Sequence, residues 1–230
     1  MKKLAAALFV LINFGALSMT ASATDVQLQL LNNFGGPVGG VYTYPYTFNI
    51  TSTTGTMSNV PLMCIDFTRE TALNQNWKAT PETLAGAAAA EASPTLAQLD
   101  EDAYLLSEIL AIAATDPNYG TSADVEALQF AAWRVLAPTA DSGNAGINAA
   151  AAADLLAAAA NAPGEPSSFY NGFTLFVPDP DTGSPQRFLG YFPPGTNNFT
   201  PPVPEPSSLM LLGTGVLGAA GMLRRRLVKA

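Results

Sequence analysis

The sequence predicts an α+β fold: a sandwich- or barrel-like sheet with an inserted helical block, followed by a single hydrophobic C-terminal helix. Three observations predict it. Strand-like runs with period-two alternation occur before residue 68 and return after residue 172. The stretch between them is rich in Ala and Leu, with apolar residues recurring at spacings of three and four. A final apolar run, Leu209 to Leu223, stands apart behind a proline-rich segment. Strands, then helices, then strands describe an α+β domain.

The elements follow in order. Lys2 and Lys3, the apolar run over residues 4–17 and the small residues Ala21, Ser22 and Ala23 read as a signal peptide over 1–23, removed by signal peptidase. Residues 25–33 alternate Val26, Leu28 and Leu30 with polar neighbours and predict a strand. The glycines at 35, 36, 39 and 40 turn the chain. Residues 41–50 are aromatic and β-branched, and Pro45 marks an edge or bulge. Residues 60–67 predict a third strand, with Val60, Leu62 and Cys64 on one face. Helices are expected over 81–92, 95–114, 122–136 and 147–161, the third capped by Ser122. Strands return at 173–177 and 187–192. The expected domain spans 24–192, a proline-rich linker runs over 193–206, and a hydrophobic helix with a basic tail occupies 207–230.

Within the part between the two ends, four basic residues face seventeen acidic ones, a formal charge of −13. Such acidity argues against a nucleic-acid partner. The chain has no histidine and one cysteine. That excludes Ser-His-Asp and Cys-His nucleophiles, and both histidine-containing and cysteine-rich metal sites. A hydrolase built on paired carboxylates would draw on Glu70, Asp100, Glu101 or Asp102. The run at 100–102 opens a helical turn and reads as solvated surface that offsets the helix dipole. Residues 179–183 lack the later ligands of a calcium loop and read as an ordinary turn. No enzyme activity, cofactor or metal is expected.

Two residues contradict their surroundings. Cys64 is an unpaired cysteine in a strand of an exported chain. Gln129 sits within the apolar stripe Val125, Leu128, Ala132, Trp133, Leu136 of its helix. A buried amide without partners costs about 1–3 kcal/mol. One chemistry accounts for both: the thiol displaces ammonia from the carboxamide to form an internal thioester, an acyl group open to attack by an amine. Asp66 and Trp133 would shape and shield it. The simpler alternative is an inert buried cysteine in a structural matrix protein that binds noncovalently.

The segments "MCID" at 63–66 and "LQFAAW" at 128–133 resemble the two signature segments of bacterial thioester domains, with Cys64 matching the cysteine and Gln129, Ala131 or Ala132, and Trp133 matching the glutamine helix. Leu128 and Ala132 stand where that family more often has threonine and isoleucine. The resemblance implies a mixed fold with the thioester between its β part and its helical part, and covalent capture of an amine-bearing surface or matrix partner. Lys78 is the single lysine between residues 23 and 206, so few internal amines could quench the bond.

At the far end, Pro204, Glu205 and Pro206 precede the apolar run, and Arg224, Arg225 and Arg226 follow it. Fifteen helical residues reach about 22 Å, short of a hydrocarbon core of about 30 Å, which suits temporary residence in a membrane. The arginines are expected to stay cytoplasmic. The two prolines hold Glu205 extended and reachable by a protease. This arrangement resembles the PEP-CTERM sorting signal. That implies processing by an exosortase-type membrane protease, a transient inner-membrane anchor, and delivery to the surface or exopolysaccharide matrix of a Gram-negative bacterium.

Overall fold

The computed structural model describes residues 25–33, 37–90 and 93–194. The expected signal peptide, most of the proline-rich linker and the C-terminal helix with its basic cluster lie outside the described residues. Among the described residues no helix is long and apolar enough to cross a membrane.

Six strands close an antiparallel barrel. They are β1 (Val26–Asn33), β4 (Tyr46–Ser52), β5 (Gly55–Cys64), β6 (Asn76–Glu82), β7 (Phe173–Pro178) and β8 (Phe188–Tyr191), in the order β1-β4-β5-β8-β7-β6. A small hairpin, β2 (Pro37–Val38) and β3 (Val41–Tyr42), stands apart from them. Its turn is made by Gly39 and Gly40, at φ +58° and +84°, backbone that glycine adopts without a Cβ penalty. Closure leaves no unpaired barrel edge. Register irregularities in β1 between Leu30 and Asn32, and in β4 between Phe48 and Ile50, supply the extra bend that a small barrel needs.

The lumen is filled by aromatic rings that meet across it. Phe188 of β8 lies 6.0 Å from Trp77 of β6, and Phe48 of β4 lies 5.7 Å from Trp77, although in each case another strand separates the two on the barrel wall. Phe48 and Phe188 are 4.6 Å apart at an edge-on angle, and Tyr46 packs edge-on against Phe188 at 5.5 Å. Gly190 belongs to the same face: a Cβ there would meet Leu62 at 2.6 Å, so glycine makes room for the leucine.

Strand β6 was not expected from the sequence. Trp77, Ala79 and Pro81 are buried and alternate with Asn76, Lys78, Thr80 and Glu82, so the period is present. Its composition hides it, because Ala, Lys and Pro are poor strand formers. Pairing with β1 on one side and β7 on the other overrides that local preference. For the same reason the helix expected over 81–92 begins later, with Pro81 and Glu82 inside the strand.

Four helices fill the connection between β6 and β7: α1 (Leu84–Ala90), α2 (Leu96–Ala113), α3 (Ala123–Leu136) and α4 (Ala145–Asn161). Thr95 and Gln98 form a reciprocal capping box at the start of α2. Asn144 caps α4 through Gly146 and Ile147. Ser122 precedes α3 but makes no side-chain cap. The alanine tract of 149–153 is an ordered part of α4. Buried alanines at 127 and 131 on α3 and at 151 and 158 on α4 let these two helices pack closely. The outward side chains Met63, Leu175 and Leu189 are fully buried too, because α1 and α2 pack over β7 and β8, and α3 over β5.

Phe188→Ala removes the ring shared by Tyr46, Phe48 and Trp77. The expected cost is about 3–5 kcal/mol, read as a lower urea midpoint at unchanged slope.

Candidate functional site

Cys64 is the last residue of β5, opposite Phe188 of β8, and is completely buried. The ladder continues one residue beyond the strand, as Ile65 N–H donates to the Arg187 carbonyl at 3.2 Å. The following loop is then clamped. Arg187 N–H donates to Asp66 Oδ2 at 2.8 Å, Gln186 Nε2 donates to the Asp66 carbonyl at 2.9 Å, and the Arg69 guanidinium lies 3.5 Å from the Asp66 carboxylate. Arg69 and Arg187 both bind Asp181, the latter through Nη2 at 2.9 Å and Nε at 3.1 Å. These bonds hold residues 64–69 in one position against residues 181–187.

Helix α3 brings its buried face onto this point. Gln129 is fully buried, and its Nε2 donates to the Cys64 carbonyl oxygen at 2.7 Å. Cys64 and Gln129, singled out separately in the sequence, are thus hydrogen-bonded neighbours across sixty-five residues. Gln129 Oε1 has no hydrogen-bond partner. The Cys64 thiol donates to the Asp66 carbonyl, with sulfur and oxygen 3.4 Å apart. Trp133, one turn beyond Gln129, favours the ionised form of the sulfur, yet its indole N–H has no hydrogen-bond partner.

Three aromatic rings cover the site. Phe67 lies 5.2 Å from Trp133 and 6.3 Å from Phe130, and Phe130 meets Trp133 edge-on at 4.9 Å. Phe67 is partly exposed and the other two are buried. Burial pushes the Cys64 thiol far above its ordinary range, and the nearby Asp66 carboxylate pushes the same way. The thiol is therefore protonated in the resting site. Asp66 serves it by position: its backbone oxygen receives the thiol, and its carboxylate is turned to Arg187 and Arg69.

Asp102 overturns one expectation. The run 100–102 was read as solvated surface, yet Asp102 is completely buried and neither of its oxygens has a hydrogen-bond partner. Helical rotation is the reason, since Asp102 falls between Leu99 and Leu106 on the buried stripe of α2, while Asp100 and Glu101 are only half-buried. The signal that identified Gln129, a polar residue inside an apolar stripe, was present here as well. Burial drives the Asp102 carboxyl well above the carboxylate range, with Glu101 and Asp66 adding to it.

Lys78 is tied down. Its ammonium lies 2.5 Å from Asp25 and 2.8 Å from Asp179, and these hydrogen bonds hold it protonated. Among the described residues no group of three acidic or sulfur side chains could hold a metal.

For Asp181, burial raises the carboxyl pKa but the hydrogen bonds from Arg69 and Arg187 outweigh it, and the net shift is downward. Asp181→Ala removes the carboxylate shared by two mostly buried guanidinium groups and is expected to cost about 3 kcal/mol in chemical unfolding. Asp102 has the opposite sign. Its folded-state pKa lies above the unfolded value of about 3.9, so its contribution is fully present below that pH and is lost as pH rises toward the folded value. Asp102→Asn is expected to flatten that part of the stability–pH curve and to exceed the parent in stability at neutral pH.

Residues 202–226 match the family described as the PEP-CTERM protein-sorting motif. The matched stretch includes Pro204, Glu205, Pro206 and the three arginines at 224–226. Such a signal implies an exported protein, sorted by exosortase, a membrane protease, and transiently anchored in the membrane through its C-terminal region. No curated protein and no solved structure matches the chain. The likeness to thioester domains finds no counterpart in these comparisons.

Proposed function

We propose that this exported protein attaches covalently to amine-bearing partners through a thioester between Cys64 and Gln129, after its sorting signal has delivered it to the surface or exopolysaccharide matrix of a Gram-negative bacterium. The observation that carries the reading is the 2.7 Å hydrogen bond from Gln129 Nε2 to the Cys64 carbonyl. It holds the carboxamide on the residue that bears the thiol, with both side chains fully buried.

The chemistry balances without a redox partner. Cys64 Sγ bonds to Gln129 Cδ, the Cδ–Nε2 bond breaks, and the thiol proton leaves with the nitrogen as ammonia. In capture, an incoming amine bonds to Cδ, the Cδ–Sγ bond breaks, and the amine's proton returns to sulfur. A lysine side chain as the amine leaves an isopeptide link and a free Cys64 thiol. The shield of Phe67, Phe130 and Trp133 disfavours water, and the partly exposed Phe67 is the part of it nearest to solvent. The single lysine of the domain cannot compete, because both of its neighbouring carboxylates keep it protonated.

Intact mass of the secreted protein tests this. The expected mass falls one ammonia below that of the processed sequence. Methylamine adds once and exposes one alkylatable thiol, and Cys64→Ala or Gln129→Ala abolishes the deficit. A chain at full amide mass, whose thiol reacts only after unfolding, would place Cys64 in the inert core of a noncovalent matrix protein. The same spectrum reports both terminal cleavages.

A further inference from the structure

The thioester reading leaves one step without a carrier. The thiol is protonated in the resting site and no histidine exists in the chain, so the proton must move as the Sγ–Cδ bond forms. Asp102 is the buried titratable group left unused. Helix α2, which bears it, packs on α3, which bears Gln129. The two helices cover adjacent strands, α2 on β8 and α3 on β5, where Cys64 and Phe188 are paired. Gln98, one turn before Asp102, donates through Nε2 to the Val135 carbonyl at 3.0 Å, so the start of α2 lies against the end of α3 and Asp102 falls along the stretch of α2 that runs beside Gln129.

The unpaired polar atoms point the same way. Both Asp102 oxygens, Gln129 Oε1 and Trp133 Nε1 are four of the six buried side-chain polar atoms that lack a hydrogen-bond partner among the described residues. Proteins rarely leave such groups unpaired, since each costs about 1–3 kcal/mol. An acid of this kind adds nothing to the core that a leucine would not add better. Its retention on the helix beside Gln129 suits a chemical task.

We propose that Asp102 is the proton-transfer residue of ring closure, giving its carboxylic proton to the departing Gln129 nitrogen and receiving the proton of the Cys64 thiol. The inference rests on the thioester reading above. As Sγ bonds to Cδ, the tetrahedral centre carries its charge on Oε1. Asp102 protonates Nε2, the Cδ–Nε2 bond breaks and ammonia leaves. The proton from sulfur then restores the neutral acid, so Asp102 ends as it began.

The experiment follows the ammonia deficit by intact mass against time after synthesis, in the full chain and in Asp102→Asn, Asp102→Leu and Asp102→Glu, with unfolding curves taken alongside. The expected result is a parent that closes, and Asn and Leu variants that are folded and no less stable but close at least tenfold more slowly. Glu, which keeps an exchangeable proton, recovers part of the rate, a rescue that a purely structural role would not produce. A folded Asn or Leu variant closing at the parental rate overturns the role of Asp102 and leaves the thioester reading standing; either variant suffices. A parent that never loses ammonia overturns both.

Discussion

The contact between the Gln129 carboxamide and the Cys64 carbonyl is where the helical layer and the barrel become one site. It requires a strand that ends at residue 64, a helix whose buried face turns a glutamine toward it, and a loop that cannot drift. The first comes from the pairing of β5 with β4 and β8. The second comes from the helical period, which places Gln129 and Trp133 one turn apart on the same face. The third comes from the ion network of Asp66, Arg69, Asp181 and Arg187, which ties the segment after β5 to the segment before β8. A buried charge network of this kind adds little net stability, but it admits few alternative arrangements.

Dryness governs what the site can do. An acyl thioester would survive only where water is excluded, and a buried thiol would add to an amide only where its proton has somewhere to go. In the proposed chemistry the aromatic cover would serve the first need and Asp102 the second. The two needs conflict, because excluding water also raises the thiol pKa and strands the polar atoms. The site therefore holds destabilising features side by side: an unpaired amide oxygen, an unpaired indole N–H and an unpaired acid. Such local cost is sustained by the rest of the fold, where the lumen rings and the helical layer bury a continuous core.

The two parts of the chain divide the labour. The matched signal at 202–226 states a route, export and exosortase sorting, and carries no information about attachment. The domain over residues 25–194 carries whatever chemistry arrives with it. Its strong negative charge and single, doubly paired lysine would leave a reactive acyl group few amines of its own to meet.

Much of this was legible in the sequence because periodicity and chemical incongruity are local properties. The alternation at Val26, Leu28 and Leu30, the apolar stripe of α3, the oddity of Gln129 and the sorting tail all declare themselves within a few residues. Strand β6 did not, because Ala79 and Pro81 have no strand preference and are held there only by partners about fifty and a hundred residues away. Asp102 was misread because an acidic triplet looks solvated until the helix it lies on is packed. The sequence alone determined the succession of strands, helical block and returning strands, and the pair of residues worth watching. Tertiary structure alone decided that the sheet closes, that these two residues touch, and that an acid is buried on the helix packed against α3, since each depends on which distant surfaces exclude water together.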